Sequence, residues 1–385
     1  MTAGAQAINL KLKYVEEITP GTTPTSALRL VRNTGSSFNF NIATVQSQEL
    51  VSTADVQDIV PSAGTSGGDL NVEYSFAEYR PFVASVLRGA FSTPVNVTGT
   101  TIGFAASSIT SSTNAFVPAN LLPGMWISIT GSSVAANNGI AKVVSATSGS
   151  IVVSHKTFTV AAAGPSITIK GLSVRNGTTP KTFSFEEEYT DLSSTFVYYK
   201  GMMATQLTLN ATSGQIVSGA FAFQGTDAGS GTATIGTGTD LAATTNPLMN
   251  AVNNLGTVFI DGVPATGVYF KSINLTANNQ PRTLDAIGNL FPICIGTGTL
   301  DAKFAVVAYF EDASFFTKLR NSTAFSLSYS FLDSDGNRVV IDAPRVKVDT
   351  ASLDGKAINS DVMQNLSFTV LRDTVLPYAL QISEI

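Results

Sequence analysis

Apolar and polar residues alternate with period two over much of the chain, the mark of strands that bury one face. In GDLNVEYSF, Leu70, Val72, Tyr74 and Phe76 fall on one side, and Asp69, Asn71, Glu73 and Ser75 on the other. KTFSFEEEYTD sets Phe183, Phe185 and Tyr189 against Ser184, Glu186 and Glu188. The same alternation runs through QLTLNAT from Gln206, SGAFAFQG from Ser218, TAFSLSYSF from Thr323, RVKVDT from Arg345 and NLSFTV from Asn365. The wet positions are mostly Ser, Thr, Asn or Glu. A mainly β chain is expected, its antiparallel sheets apolar on one side and polar on the other. Only two stretches read as helices. AEYRPFVASVLRGAF places Tyr79, Phe82, Val83, Val86, Leu87 and Ala90 on one stripe, with Pro81 suited to the first turn and Gly89 to the end. DASFFTKLRNS offers Phe315, Phe316 and Leu319 behind a cap at Asp312 or Ser314. Both stripes are expected to face the core.

The helices expose an internal duplication, because each follows a similar strand. Gly68, Leu70, Val72, Tyr74 and Phe76 align without a gap on Gly298, Leu300, Ala302, Phe304 and Val306. KTFSFEEEYTD at 181–191 lies over TAFSLSYSFLD at 323–333, and QLTLNAT at 206 over RVKVDTA at 345. Phe221 and Phe223 fall on Phe368 and Val370. Two copies of one β-plus-helix unit are expected, spanning 1–91 plus 179–228 and then 257–385. Residues 92–178 interrupt the first copy and carry their own strand and turn signals, including LPGMWISITG and a turn at Asn138-Gly139. They predict a small inserted β-domain whose ends lie close together. The Gly/Thr-rich stretch within 229–256 reads as a flexible linker.

Composition narrows the function. Only 13% of the 385 residues are charged, against about 25% in an ordinary soluble domain. With 22 basic and 27 acidic residues the net charge is −5, which excludes a basic coat that would grip DNA by its phosphates. One Cys and one His allow neither an internal disulfide nor a zinc cage. His155, in SGSIVVSHKTFTV, reads as a polar outward position on a strand. No apolar leader region opens the sequence and no apolar run approaches the length of a membrane helix, so neither a secretory signal nor a span is expected. GSGTATIGTGTD lacks the GK[ST] of a phosphate loop. DSDGN at 333–337 lacks the later Glu of a calcium loop and reads as a hairpin turn. Glu186, Glu187 and Glu188 are neighbours on one strand, so a solvated acidic face is expected rather than a catalytic pair. Neither an enzyme nor a cofactor site emerges.

Two long loops stand out, at 46–67 and 277–298. Leu50, Val56, Ile59 and Val60 in the first, and Leu284, Ile287, Leu290 and Phe291 in the second, are too apolar to be left in water. Both loops are expected to dock on something outside their own domain.

The ordered series LRLVRNTGSSFNFNIATVQSQELVSTADVQD, GGDLNVEYSFAEYRPFVASVLRGAF and YYKGMMATQLTLNATSGQIVSGAFAFQGTD resembles the tail tube (major tail) proteins of long-tailed, non-contractile bacteriophages. AIGNLFPICIGTG, AYFEDASFFTKLRNSTAFSLSYSFLDSDGN and IDAPRVKV are similar to a second copy of the same unit. The resemblance implies two tandem β-sandwich or barrel repeats, each with a flanking helix, plus the inserted β-domain. It implies rings stacked into a hollow tube through which double-stranded DNA passes without specific binding. A tape-measure protein, a tail terminator and distal tail proteins are the implied partners, and the virion tail, assembled in the host cytoplasm, the location. Carried onto this chain, ring-to-ring contact falls to Gln48, Glu49, Leu50, Asp55, Val56 and Asp58, and in the second copy to Arg282, Leu284, Asp285, Ile287 and Asn289. The wet strand faces supply lumen-facing candidates: Asn71, Glu73, Ser75, Glu186, Glu188, Thr208 and Asn210. Two copies per chain imply a trimeric ring with pseudo-sixfold symmetry. About four inner strands per copy give about 24 strands and a backbone diameter of about 48 Å. The insertion is expected on the outside of the tube, with Trp126 in its core. A surface-exposed adhesin or decoration protein is the alternative reading.

Overall fold

The computed structural model describes residues 4–50, 52–53, 55–355 and 357–385, with 252–255 described in backbone only. The fold is mainly β with several sheets and two α-helices among these residues. In the first half the principal strands are β1 (Leu10–Glu16), β2 (Asn39–Gln46), β3 (Ile59–Glu73), β4 (Phe183–Tyr189), β5 (Phe196–Thr212) and β6 (Ser218–Gly225). In the second they are β7 (Phe270–Asn278), β8 (Asp301–Tyr309), β9 (Ala324–Leu332), β10 (Arg338–Asp354) and β11 (Met363–Val370). Helix α1 (Arg80–Leu87) follows β3 and helix α2 (Ser314–Arg320) follows β8.

One pairing order occurs twice. In the first half β1 pairs with β4, β4 with β5, β5 with β6, β6 with β3 and β3 with β2, all antiparallel. In the second, the short strand Phe259–Ile260 pairs with β9, β9 with β10, β10 with β11, β11 with β8 and β8 with β7. Even the irregularities repeat. A bulge between Phe183 and Phe185 has its counterpart between Phe325 and Leu327, and one between Ala204 and Gln206 between Val348 and Thr350. These bulges set the correspondence of the halves and correct part of the ungapped alignment. Phe183 does fall on Phe325. Gln206, however, corresponds to Thr350 rather than Arg345, Phe223 to Phe368 rather than Val370, and Gly68 to Phe304 rather than Gly298. Each bulge adds an unpaired residue that alternation alone does not reveal.

The halves share a sheet. The C-terminal part of β5 pairs with β6 on one side and with β7 on the other, Leu209 opposite Leu275. The strands β2-β3-β6-β5-β7-β8-β11-β10 therefore run as one continuous surface. One side of it is buried, with Leu70, Phe221, Leu207, Leu275, Phe304 and Phe368 in the main core. Helix α1 packs on β5 from that side. Pro81 lies in its first turn, Phe82 to Leu87 are all buried, and Arg88 ends it in the left-handed region at φ 50°. The Phe82 ring sits 4.7 Å from Tyr14, 5.2 Å from Phe183 and 5.4 Å from Phe223, tying α1 to three strands. Burying one such side chain contributes about 1.5–3 kcal/mol. In the second half Phe315 of α2 stacks on Phe368 at 5.6 Å.

Residues 95–171 form a separate seven-stranded sheet with its own apolar cluster, including Ile102, Ile127, Ile151 and Ile169. Its first and last strands pair together, Val97 opposite Ile169, and Ser92 N–H donates to Ser173 O at 2.8 Å. The ends of the insertion are thus adjacent. The insertion docks on the second half: Trp126 clusters with Phe259, Val340 and Ile385. The expected place of Trp126 in the small-domain core is corrected. It fills the seam, because its ring packs on Phe259 at 5.5 Å.

The Gly/Thr stretch is tied down rather than free. Ile235 N–H donates to Glu186 Oε2 at 2.6 Å, Leu241 N–H to Leu28 O at 2.7 Å and Thr244 N–H to Glu78 Oε2 at 2.8 Å. Buried carboxylates satisfy backbone groups that the side chains of this stretch are too small to anchor.

Candidate assembly surfaces

Three surfaces emerge: a polar sheet face, two hairpins and two strand edges. On the polar side of the eight-stranded surface, register builds cross-strand rows. Asn71, Ala220, Thr208, Thr276 and Lys303 form one row; Glu73, Ser218, Asn210, Asn274 and Ala305 form the next. Asn71, Glu73, Thr208 and Asn210, expected on wet faces, share this surface and are exposed or half-buried. The charged residues that register sets on this side include Asp69, Glu73, Asp301, Lys303, Lys347 and Asp354, with the exposed Lys271 and Asp349 at its bulges. Most other positions are Ser, Thr, Asn or Ala.

The other three lumen candidates do not lie there. Ser75 is fully buried just beyond β3, in a bridge to Leu248. Glu186 and Glu188 belong to β4, whose register with β1 sets Lys13 opposite Glu186. Lys13 Nζ lies 2.9 Å from Glu186, 2.9 Å from Glu188 and 3.1 Å from Asp240. Lys13 and Glu186 are both buried and Glu188 is mostly covered. Burial alone would lower the Lys13 pKa, but hydrogen bonds to Glu188, Glu186 and Asp240 hold it above its ordinary value. The solvated acidic face expected for β4 is therefore corrected: it is a buried ion cluster. Lys13 was missed, though its signal existed in LKLKY, an alternating basic strand complementary to FSFEEEY. Glu187 points to the other side, accepting from Ser36 Oγ at 3.1 Å and Tyr199 Oη at 3.4 Å, and burial raises its pKa.

The tips of the two hairpins are exposed. Gln48, Glu49, Leu50, Asp55, Val56 and Asp58 are all exposed, as are Arg282, Leu284, Asp285, Ile287 and Asn289. Leu50 and Ile287 are as accessible as in an extended chain, at 103% and 106%. The base of the second loop rests on β3, whose residues 59–67 are strand rather than the loop expected from the sequence: Gly64 N–H donates to Leu290 O at 2.6 Å, and the Phe291 ring lies over Gly64 so closely that a Cβ there would meet it at 2.8 Å. Arg88, at the end of α1, reaches the base of the second loop, donating to Gly298 O at 2.8 Å.

The surface ends in open edges. Among the described residues β2 pairs only with β3, and from Val348 to Asp354 β10 pairs only with β11. Phe40 and Ile42 on β2 are each 39% exposed. Native proteins seldom leave apolar edges bare, since they recruit other strands.

His155 takes part in none of these surfaces. Its ring packs 5.0 Å from Trp126 and 5.3 Å from Phe259, and its Nδ1 lies 2.9 Å from Ser154 Oγ. Burial, with Lys142 nearby, lowers its pKa to about 4.

Open edges, bare apolar hairpins and a polar sheet face describe a structural subunit made to be covered by other molecules. The chain belongs to the phage tail tube protein family: the family model matches residues 8–370, nearly the whole chain. No curated protein matches it. Membership bears out the resemblance seen in the sequence. It makes the protein a structural component of a phage tail, one that assembles into a tube, with a non-enzymatic role. Among the described residues no helix is long and apolar enough to cross a membrane.

Proposed function

We propose that three copies of this chain close into a ring whose inner wall is the polar side of the eight-stranded surface, and that stacked rings form a conduit for double-stranded DNA ejection. The continuous sheet across both halves carries this reading. Each half contributes four strands, β2, β3, β6 and β5 or β7, β8, β11 and β10, so each half acts as one tube unit. Three chains then supply about 24 strands and a barrel about 48 Å across the backbone. Six chains would roughly double that diameter, far beyond what one duplex needs. A wall of Ser, Thr and Asn with a slight acidic excess passes a polyanion without holding it, because no array of cations replaces the phosphate counterions.

The two hairpins carry ring-to-ring contact in this reading, and the ends of the stacked tube meet the tape-measure, terminator and distal tail proteins in the virion. Assembly takes place in the host cytoplasm. The insertion leaves the fold after α1, which packs on the apolar side of the sheet, so it decorates the outside of the tube. Electron microscopy of tube cross-sections tests the arrangement. Three outer protrusions per ring are expected. Six equivalent protrusions would overturn the trimer, and a monodisperse monomer under all conditions would favour an adhesin or decoration protein instead.

A further inference from the structure

The β5–β7 junction inside the chain offers a template for a junction between chains. There β5 is covered on its second edge by β7, with Thr208 opposite Thr276, Leu209 opposite Leu275 and Leu207 opposite Ala277. The counterpart of β5 is β10, whose corresponding edge has no strand on it among the described residues. The counterpart of β7 is β2 together with the two-residue strand Gly35–Ser36, both of which pair with β3 in one register. The chain therefore presents one half of this junction at each end of its sheet.

Resting on the tube reading, we propose that β10 of one copy pairs with β2 of the next, antiparallel, with Ser352 opposite Asn39 and Leu353 opposite Phe38. The register follows from equivalences already given. The bulges map Gln206 onto Thr350, so Thr208 maps onto Ser352 and Leu209 onto Leu353. Gly68 maps onto Phe304, so Gly67 maps onto Lys303, and their partners Asn39 and Thr276 correspond. Phe38 then takes the place of Leu275 and Phe40 that of Ala277. Pairing runs from Thr350 opposite Asn41 to Asp354 opposite Ser37.

Side-chain volumes favour this register. Inside the chain the core side of the junction sets Leu209 against Leu275 and Leu207 against Ala277. Between chains it sets Leu353 against Phe38 and Ala351 against Phe40. Large meets small again, with the large partner on the opposite strand, and the half-exposed Phe40 gains cover. Asn39, Asn41, Thr350 and Ser352 fall on the polar side, in line with the rows of Ser, Thr and Asn. A slip of one residue would set Phe40 opposite Thr350 or Ser352 and join the core side of β2 to the polar side of β10. Both edges are consumed, which removes the aggregation hazard of a bare apolar strand.

Disulfide trapping in assembled tubes tests the register. The only cysteine, Cys294, is exposed and is first replaced by Ser. Facing residues on neighbouring strands lie within disulfide range, so Asn39→Cys with Ser352→Cys should oxidise in tubes to a covalently closed trimer. Each single variant should stay monomeric on a non-reducing gel. Asn39→Cys with Thr350→Cys, or with Asp354→Cys, should give less than about a tenth of that yield. Preferential trapping of either shifted pair would overturn the register and leave the ring intact. Intact tubes in which none of the pairs traps would overturn the β10–β2 junction while leaving the tube reading standing. Failure of the cysteine-free parent to form tubes at all would remove both.

Discussion

Lys142 of the inserted sheet donates from Nζ to Asp342 Oδ1 of β10 at 2.9 Å, and both side chains are buried. Asp342 also accepts from Ser328 Oγ at 2.6 Å and Tyr378 Oη at 2.8 Å. One charged contact thus locks an insertion in the first half onto the second half. Lys142→Met removes the cation and leaves a buried carboxylate uncompensated, at a cost of about 3–5 kcal/mol. Lys142→Met with Asp342→Asn should recover most of that loss, since the amide oxygen still accepts from Ser328 Oγ while the amide N–H donates to Tyr378 Oη, whose own hydrogen turns to Gly124 O. Urea denaturation of the subunit reads both effects. For the same reason, deletion of 95–171 behind a short Gly/Ser bridge should yield more folded protein, and thinner tubes, when it carries Asp342→Asn.

Acid should loosen the same seam. His155 has a folded pKa of about 4, below its ordinary value of about 6.5, with burial the leading cause. The unfolded chain therefore binds the proton more readily. The contribution is fully present above about pH 6.5 and is lost as the pH falls from there to about 4. Lys142, Asp342, Trp126 and Phe259 surround the ring, so its protonation sets a second cation beside Lys142. His155 adopts φ 64°, a conformation Asn tolerates. His155→Asn should lower stability at pH 7 yet flatten the fall in melting temperature between pH 6.5 and 4.5. An unchanged slope would show that carboxylates elsewhere dominate.

Leu50 and Ile287 touch nothing that would be lost on mutation within the subunit. Leu50→Asp and Ile287→Asp should each leave subunit stability within about 0.5 kcal/mol of wild type. In an apolar contact between rings the same charges are costly. Folded subunits or isolated rings, with few long tubes, are the expected outcome by negative-stain imaging. Wild-type tube lengths in both variants would remove the hairpins from the stacking contact.

Alternation revealed β4, β6, β8, β9 and β11 and the C-terminal parts of β3 and β5 with the middle of β10, because a one-sided sheet writes its faces directly into residue order; β1, β2 and β7 went unread, and the first half of β3 read as loop. It revealed the polar rows through Asn71 and Thr208 for the same reason. It failed at Glu186, where the face was polar but covered. Lys13 lies far away in sequence, and only the β1–β4 pairing brings the two together. It also slipped by five positions at Gln206. The unpaired residues at the bulges change strand parity without altering composition. The Gly/Thr stretch read as free because its anchors are backbone groups, which look alike in any sequence.

Charge placed on the polar sheet face separates the conduit reading from a merely structural one. Asn210 is exposed on that face, and Thr208, one position along the row pattern, is half-buried with its hydroxyl accepting from Ala220 N–H at 3.1 Å. Asn210→Lys changes no buried contact, so tubes should assemble normally. With two copies of the face per chain but only one Asn210, each ring gains three lysines in the proposed trimer, repeated along the tube. Phosphates passing the wall then exchange condensed counterions for these cations, and DNA should leave the particle more slowly. The delay should shrink as salt rises from about 0.05 to 0.5 M, because screening weakens each contact. Glu186→Lys is the control with the opposite outcome: it places a second ammonium against Lys13 in a buried cluster and should abolish folding before any tube forms. Ejection rates measured on Asn210→Lys particles over a salt series decide the matter. Wild-type kinetics at every salt concentration would place Asn210 off the DNA path.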